Sequence, residues 1–328
     1  MLINYLFILL IGFLTGSFFV FLLRKAALKY NLLISQGMPL VGGTAMWLSF
    51  VIASLAGFSF SGRLTGEAAA IIISSLLMLI FGIIDDWREL SILAKFLAQI
   101  IAASFLIFFG VRTRIVYIGD PLNIIITFIW IIGITNAFNH LDIIDGLASL
   151  AAIIISSGFF IIALLNKDIN SAILSLALIA AGSGFLIYNF PPAKAYMGNS
   201  GSHFLGFVLA TVALLISYAP MERKIALLSP ILILGLPIFD TAFLVLIRLG
   251  KKRLPFKKSN DHLILRFLAL GYSKKKALFA MLGLCLFFSL CGIMLSQVSN
   301  LFGGLIVISA ILVSLCITFY MGRVSINE

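Results

Sequence analysis

Apolar residues run in long blocks along this chain, and polar residues gather in short clusters between the blocks. A helix needs about twenty apolar residues to cross a bilayer, and windows of that length locate the elements. They predict spans at 2–23, 39–60, 68–84, 92–110, 121–139, 146–165, 170–189, 203–220, 225–247, 277–297 and 300–320. The expected fold is all-α: a polytopic integral membrane protein of about eleven transmembrane helices in one domain, 1–328. The second and third boundaries are soft, since Pro39, Gly42 and Gly43 can delay a helix start and Gly57 to Gly66 reads as a turn. The first block, Leu2 to Leu23, exceeds a signal-peptide core and lacks a basic leader and a small-residue cleavage site. It therefore reads as a retained helix.

Composition narrows the class. At 62% hydrophobic and 11% charged residues, a water-soluble globule is excluded, because its charged fraction would be about twice as large. Cys285, Cys291 and Cys316 lie in the last two blocks without metal-ligand spacing, so they read as buried small hydrophobes outside any disulfide. Charge sets the expected orientation. When loops are assigned to alternate sides, one side holds every Lys and Arg except Arg63, Arg112, Arg114, Lys167, Arg223 and Lys224. By the positive-inside rule that side is cytoplasmic, which puts the amino terminus outside and the carboxyl terminus inside an inner (plasma) membrane. The segment Arg248 to Lys276, which includes Lys257 and Lys258 and the single acid Asp261, suits polyanions or anionic lipid head groups. No nucleic-acid-binding module accompanies this charge, so nucleic acid is not an expected partner.

The chain has only twelve acids, and several sit at the edges of apolar blocks on the cytoplasmic side. A carboxylate costs roughly 2.5–3.5 kcal/mol at the centre of a membrane helix and less toward its ends. Asp85 and Asp86 close one block; two adjacent carboxylates repel and need a cation, which Arg88, Lys95 or a divalent metal can supply. The competing reading is a helix end at the interface, with Trp87 as a belt residue. Asn136, Asn139 and Asp142 recur at three-residue spacing, which predicts one helical face pointed at one place, followed by Asp145 and Gly146. Amide and carboxylate oxygens are hard ligands suited to magnesium, although hydrogen bonding between helices also explains the asparagines. His140, inside that run, reads as interfacial. From Tyr196 to His203 small residues including Gly198, Asn199 and Ser200 could form a nest of backbone N–H groups facing a phosphate, or a plain polar turn. Asp240 follows Pro237 and reads equally as catalytic or as a buried acid joining helices through Thr241 or a neighbouring span. His262 and Arg266, four residues apart, could face one anionic group.

In this order the residues resemble the polyprenyl-phosphate N-acetylhexosamine-1-phosphate transferases of glycosyltransferase family 4 type, which include the phospho-N-acetylmuramoyl-pentapeptide transferases. The resemblance runs from Pro39 to Lys276. It rests on Pro39 with Gly42-Gly43, Asp85-Asp86 followed by Leu90-Ser91 and Lys95, Asn136 to Leu147, Met197-Gly198 with Gly201-Ser202, Pro237 to Thr241, and His262 with Arg266. It implies transfer of a sugar 1-phosphate from a UDP-sugar donor to undecaprenyl (polyprenyl) phosphate within the lipid bilayer. UMP is released, with Mg2+ or alternatively Mn2+ as cofactor, at a cytoplasmic active site, and a homodimer is implied.

The resemblance also implies roles. Asp85 activates the lipid phosphate with support from Asp86, Lys95 holds phosphate, and Asn139 binds magnesium. Asp142 and Asp145 position the donor and contact the nucleoside, together with Asn136, Gly198 and Asp240 on the substrate side. Tyr196 stacks on uracil, and His262 and Arg266 grip the pyrophosphate. Two departures stand out. Asn199 replaces an acid of the family's Met-Gly-Asp motif, which predicts weaker metal affinity, and Ile264 and Leu265 stand where hexosamine-type relatives carry histidines. Two other classes remain open: a lipid or anion transporter, and a catalytically altered scaffold. A transport path would spread acids across the membrane depth, whereas the outer loops hold only Glu67, Asp120, Asp168 and Glu222.

Overall fold

A computed structural model of the chain describes residues 2–218, 223–254 and 261–326. Glu222, Lys257 and Lys258 lie outside the described residues. The chain forms two compact units, Met1–Ser217 and Tyr218–Glu328.

The first unit holds α1 (Leu2–Tyr30), a two-stranded hairpin of β1 (Ile34–Ser35) and β2 (Met38–Pro39), and α2 (Gly42–Ser61). It continues with α3 (Gly66–Trp87), α4 (Ile92–Phe108), α5 (Gly119–Leu141), α6 (Leu147–Leu165), α7 (Ile169–Asn189) and α8 (Gly198–Leu215). Side chains that accept from the first turn start several helices where the sequence places a Ser, Thr or Asp before an apolar block. Thr65 caps α3, Ser91 caps α4 and Asp168 caps α7. The hairpin corrects the expectation that a helix begins at Pro39. Gln36 and Gly37 both take positive φ, as a two-residue hairpin turn requires, and Pro39 pairs with Ile34. The helix starts only at Gly42, where the Gly42 and Gly43 amides donate to the carbonyls of Tyr196 and Met197 (3.0 and 3.1 Å).

Burial sorts these helices into centre and rim. In α7 and α8, 72% and 78% of the apolar window is buried, against 22% in α1, so α7 and α8 form the core of the unit and α1 lies at its rim with its outer face exposed. α8 packs against α2, α3 and α5. Close approach comes from small residues, as is usual between membrane helices. A Cβ at Gly43 or Gly82 would run into the backbone of Ser200 or Gly201 in the first turn of α8.

The second unit contains a 3-10 turn (Lys224–Leu228), α9 (Ser229–Ile233), α10 (Gly235–Gly250), the short α11 (Leu263–Ala269), α12 (Lys274–Leu295) and α13 (Asn300–Gly322). The predicted span 225–247 is not one straight helix: it breaks at Leu234 and bends by 75°. Pro237 explains the break, because its ring clashes with the carbonyl four residues earlier and it has no N–H to donate there. That carbonyl, on Ile233, instead accepts from Ser289 Oγ of α12 (3.4 Å). Cys285 and Cys291 are buried in α12 and in no disulfide, whereas Cys316 in α13 is exposed, contrary to the expectation of burial.

Among the described residues nine helices are long and apolar enough to cross a membrane, or ten if the bent pair is one span. α4 is apolar but only 17 residues long. The protein is therefore a multi-pass, all-α membrane protein.

Candidate active site

Two adjacent carboxylates end α3, and each is neutralised by a different device. Asp85 is buried. Its Oδ1 accepts the Leu90 N–H (2.8 Å), and its Oδ2 lies 2.7 Å from Lys95 Nζ in the first turn of α4. Ser91 caps that helix and so sets the position of Lys95. The Lys95 contact lacks the alignment of a hydrogen bond, so Oδ2 keeps an uncommitted lone pair. Of the two cations the sequence offers, Lys95 meets Asp85, while Arg88 is exposed.

Asp86 points the other way, into the first turn of α8. Its oxygens accept the N–H groups of Asn199 (2.6 Å) and Ser200 (3.0 Å). Met197, the residue before α8, gives no side-chain cap, so Asp86 caps this helix from across the bundle. Gly198 is at φ +70, and a Cβ there would collide with the Asp86 carboxylate. The expected nest of amides facing a phosphate is thus corrected: those amides are taken by Asp86, whose charge they balance.

α5 brings Asn139 to the same helix end. Its Nδ2 donates to Asn199 Oδ1 (3.0 Å) and Ser202 Oγ (2.8 Å), so the two amides singled out as metal ligands meet across α5 and α8. Asn136 does not share that direction. It exchanges hydrogen bonds with Gln99 of α4 (2.9 and 3.3 Å) and donates to Ile132 O (2.8 Å). Asp142 lies past the end of α5. The single face expected for Asn136, Asn139 and Asp142 therefore splits three ways: each three-residue step turns the helix by about 60° short of a full turn, and the helix stops before Asp142.

Among the described residues the Asp142 carboxyl has no hydrogen-bond or ion-pair partner. Burial pushes its carboxyl up to about 7, and the nearby charges of Asp86 and then Asp145 push in the same direction. Asp145 Oδ2 accepts the Ala193 N–H (3.0 Å), tying the turn after α5 to the segment before α8. Buried Asn189 secures the same junction, accepting from Gly146 N–H and Ser149 Oγ and donating to Ala195 O. Tyr196 is fixed by its backbone, which donates to Pro39 O and accepts from Gly42, and its ring is half-buried.

In the second unit Asp240 is buried and holds the start of α11. Its Oδ1 accepts the Leu263 N–H (3.1 Å) and its Oδ2 lies 3.2 Å from His262 Nδ1. Thr241 Oγ1 has no hydrogen-bond partner, so the suggested link through Thr241 is replaced by one to His262. Arg266 and His262 do not face one anion. Arg266 is 2% exposed and donates from Nη1 to the carbonyls of Met321 (2.7 Å) and Val324 (2.6 Å), closing the end of α13. Its Nη2 reaches Asp261 (3.4 Å), which also pairs with Lys251 (2.7 Å). The four-residue spacing is real, but α11 is a seven-residue helix packed against α10 and α12, and its arginine reaches past them to the unsatisfied carbonyls at the end of α13.

Reading the sequence missed three polar residues here. Gln99 and Asn189 sit inside apolar blocks and carried only the faint signal of an amide at a costly depth. His203 is buried in α8, and with Asp85, Lys95 and Gln99 it lines a small cavity.

A sequence model of glycosyl transferase family 4 matches residues 68–217, the stretch from α3 through α8 that carries this geometry. The chain is 34% identical over 273 residues to a Bacillus subtilis (strain 168) protein named probable undecaprenyl-phosphate N-acetylglucosaminyl 1-phosphate transferase, covering 79% of this chain and 74% of that one. It is 31% identical over 280 residues to a decaprenyl-phosphate N-acetylglucosaminephosphotransferase of Mycolicibacterium smegmatis, with 74% and 68% covered. A phospho-N-acetylmuramoyl-pentapeptide-transferase of Streptococcus gordonii matches at 31% over 195 residues, 54% of this chain and 60% of that one. Likeness over most of both chains, with the matched region holding the paired acids of α3 and the helix end they cap, means that this chain belongs to glycosyl transferase family 4.

Proposed function

We propose that this protein transfers N-acetylhexosamine 1-phosphate from a UDP-sugar to a polyprenyl phosphate, undecaprenyl phosphate in the simplest case, at the cytoplasmic face of an inner membrane. An oxygen of the lipid phosphate attacks the phosphorus that carries the sugar. The P–O bond to the uridine phosphate breaks, UMP leaves, and a lipid-linked pyrophosphate sugar remains. The observation that carries the reading is the Asp85–Lys95 pair, a buried carboxylate with an open lone pair beside a fixed cation where α3 ends and α4 begins. Asp85 takes the proton of the acceptor phosphate and Lys95 offsets the charge of the two phosphate groups that must meet. His262, oriented by Asp240, belongs to the same reading as a donor to phosphate.

The residues present fit magnesium. Among the described residues no cation stands beside Asp142 to balance its ionised form, the condition that a divalent ion relieves. Among the described residues no three His, Cys, Asp or Glu side chains converge as a metal cage, but magnesium usually keeps several waters and takes few protein ligands besides substrate phosphates. Asn139 and Asn199 would hold it, and when bound it supplies neutralisation of the donor's pyrophosphate. The resemblance extends this reading to a homodimer.

The test is UMP release by purified protein in detergent, given undecaprenyl phosphate, Mg2+ and a panel of UDP-N-acetylhexosamines. We expect lipid-dependent release from one donor, reduced at least about 100-fold in Asp85→Asn. Absence of release from every donor, by protein shown to be folded, overturns the reading in favour of a scaffold or transporter.

A further inference from the structure

One buried side chain beside the Asp85–Lys95 pair has no part in the scheme above. His203 is 5% exposed, sits one turn after Asn199 in α8, and its Nδ1 has no hydrogen-bond partner. A buried imidazole nitrogen without a partner carries the full cost of its lost hydration, so a position that served packing alone would be better filled by an apolar residue. The cavity it lines has room for about one water, and Asp85, Lys95 and Gln99 line it too. Gln99 is already engaged with Asn136. That leaves two buried polar atoms without a hydrogen bond on one cavity, His203 Nδ1 and Asp85 Oδ2, the latter ion-paired with Lys95. The charged and titratable groups acting on His203 are Asp85 of α3, Lys95 of α4 and His140 of α5.

We propose that His203 is a positioning residue that acts through Asp85: its Nδ1 lone pair, directly or through one water, accepts a hydrogen bond from the carboxyl of Asp85 once that group has taken the acceptor's proton. The inference rests on the reading of Asp85 as the group that deprotonates the lipid phosphate. The proton passes from the phosphate hydroxyl to Asp85 Oδ2 and is shared toward Nδ1, and no other reactant is needed. Lys95 alone favours the ionised carboxylate and so opposes proton uptake, while His203 stabilises the protonated form. The balance between the two tunes Asp85 for accepting and then releasing a proton.

The experiment compares His203→Leu and His203→Gln with the wild type, using UMP release across a pH series. Leucine fills the space without an acceptor, while glutamine keeps one. We expect His203→Leu to lower kcat about tenfold, as befits one lost hydrogen bond, with KM for the UDP-sugar unchanged and the acid limb of the kcat profile displaced. His203→Gln should recover most of both. Unchanged kcat and pH profile in a folded His203→Leu protein overturns the proposal.

A second readout leaves His203 intact. The chain has three histidines, so 15N-histidine spectra of the wild type and Asp85→Asn resolve them readily. The Nδ1 resonance of His203 should move between the two, and an unmoved resonance also overturns the proposal. Because this readout needs no turnover, a protein that releases no UMP would sink the transferase reading while leaving the His203–Asp85 coupling measurable.

Discussion

At the scale of single residues, the site turns on how three acids are balanced. Asp85 has Lys95 and the Leu90 amide, and Asp86 has two amides at the start of α8. Asp142 has the acids Asp86 and Asp145 near it, and its carboxyl stands at about 7. Near pH 4 that group is neutral in the folded protein, and little is lost on unfolding. Between about 4 and about 7 only the unfolded chain gives up the proton, so stability falls as pH rises; above 7 the full penalty is in force. Discounted for partial exposure, the penalty is on the order of 1–2 kcal/mol. In divalent-free detergent, Asp142→Asn should therefore raise the Tm by a few degrees at pH 8 and leave it unchanged near pH 4. Equal shifts at both values would show that Asp142 is not under this strain. The acids themselves could be picked out by reading the chain, because a charge beside hydrocarbon is conspicuous. Their partners could not, since Asp86 and the amides it accepts are separated by more than a hundred positions.

At the scale of elements, the site depends on how closely α3 and α2 approach the first turn of α8. Gly82 and Gly43 make that approach, and in both cases the atoms a Cβ would meet include backbone, which cannot swing aside like a side chain. Gly82→Ala should lower stability by about 1–3 kcal/mol despite alanine's better helix propensity, and should weaken UMP release with it. Gly283→Ala in α12 is the control, because nothing lies within 4 Å of its Cβ, and it should leave the Tm unchanged or slightly higher. Matching losses in both variants would show that α3–α8 contact is not the cause. The break between α9 and α10 is another matter of elements. Pro237 was visible in the chain, but hydropathy registers only that 225–247 is apolar and is blind to a bend that keeps every residue apolar.

At the scale of the whole molecule, the basic residues set an orientation that can be measured. In a background with Cys285, Cys291 and Cys316 replaced, Lys194→Cys, beside the proposed site, should react with a membrane-impermeant maleimide only in inside-out vesicles, and Arg63→Cys only in right-side-out ones. Both positions are exposed. The reverse pattern would put the site away from the compartment that holds UDP-sugars. Class, helical content and most helix positions followed from the amino-acid sequence alone, because a bilayer offers no water to unpaired backbone groups and so makes any long apolar block a helix. The acids that matter were legible for the same reason, as local violations of that rule. Tertiary structure alone decided which acid meets which partner: Asp85 with Lys95, Asp86 with α8, Asn139 with Asn199, and Arg266 with the end of α13 rather than with an anion. Those pairings depend on helix rotation and on contacts between distant segments, and hydropathy, which is read one window at a time, carries no information about either.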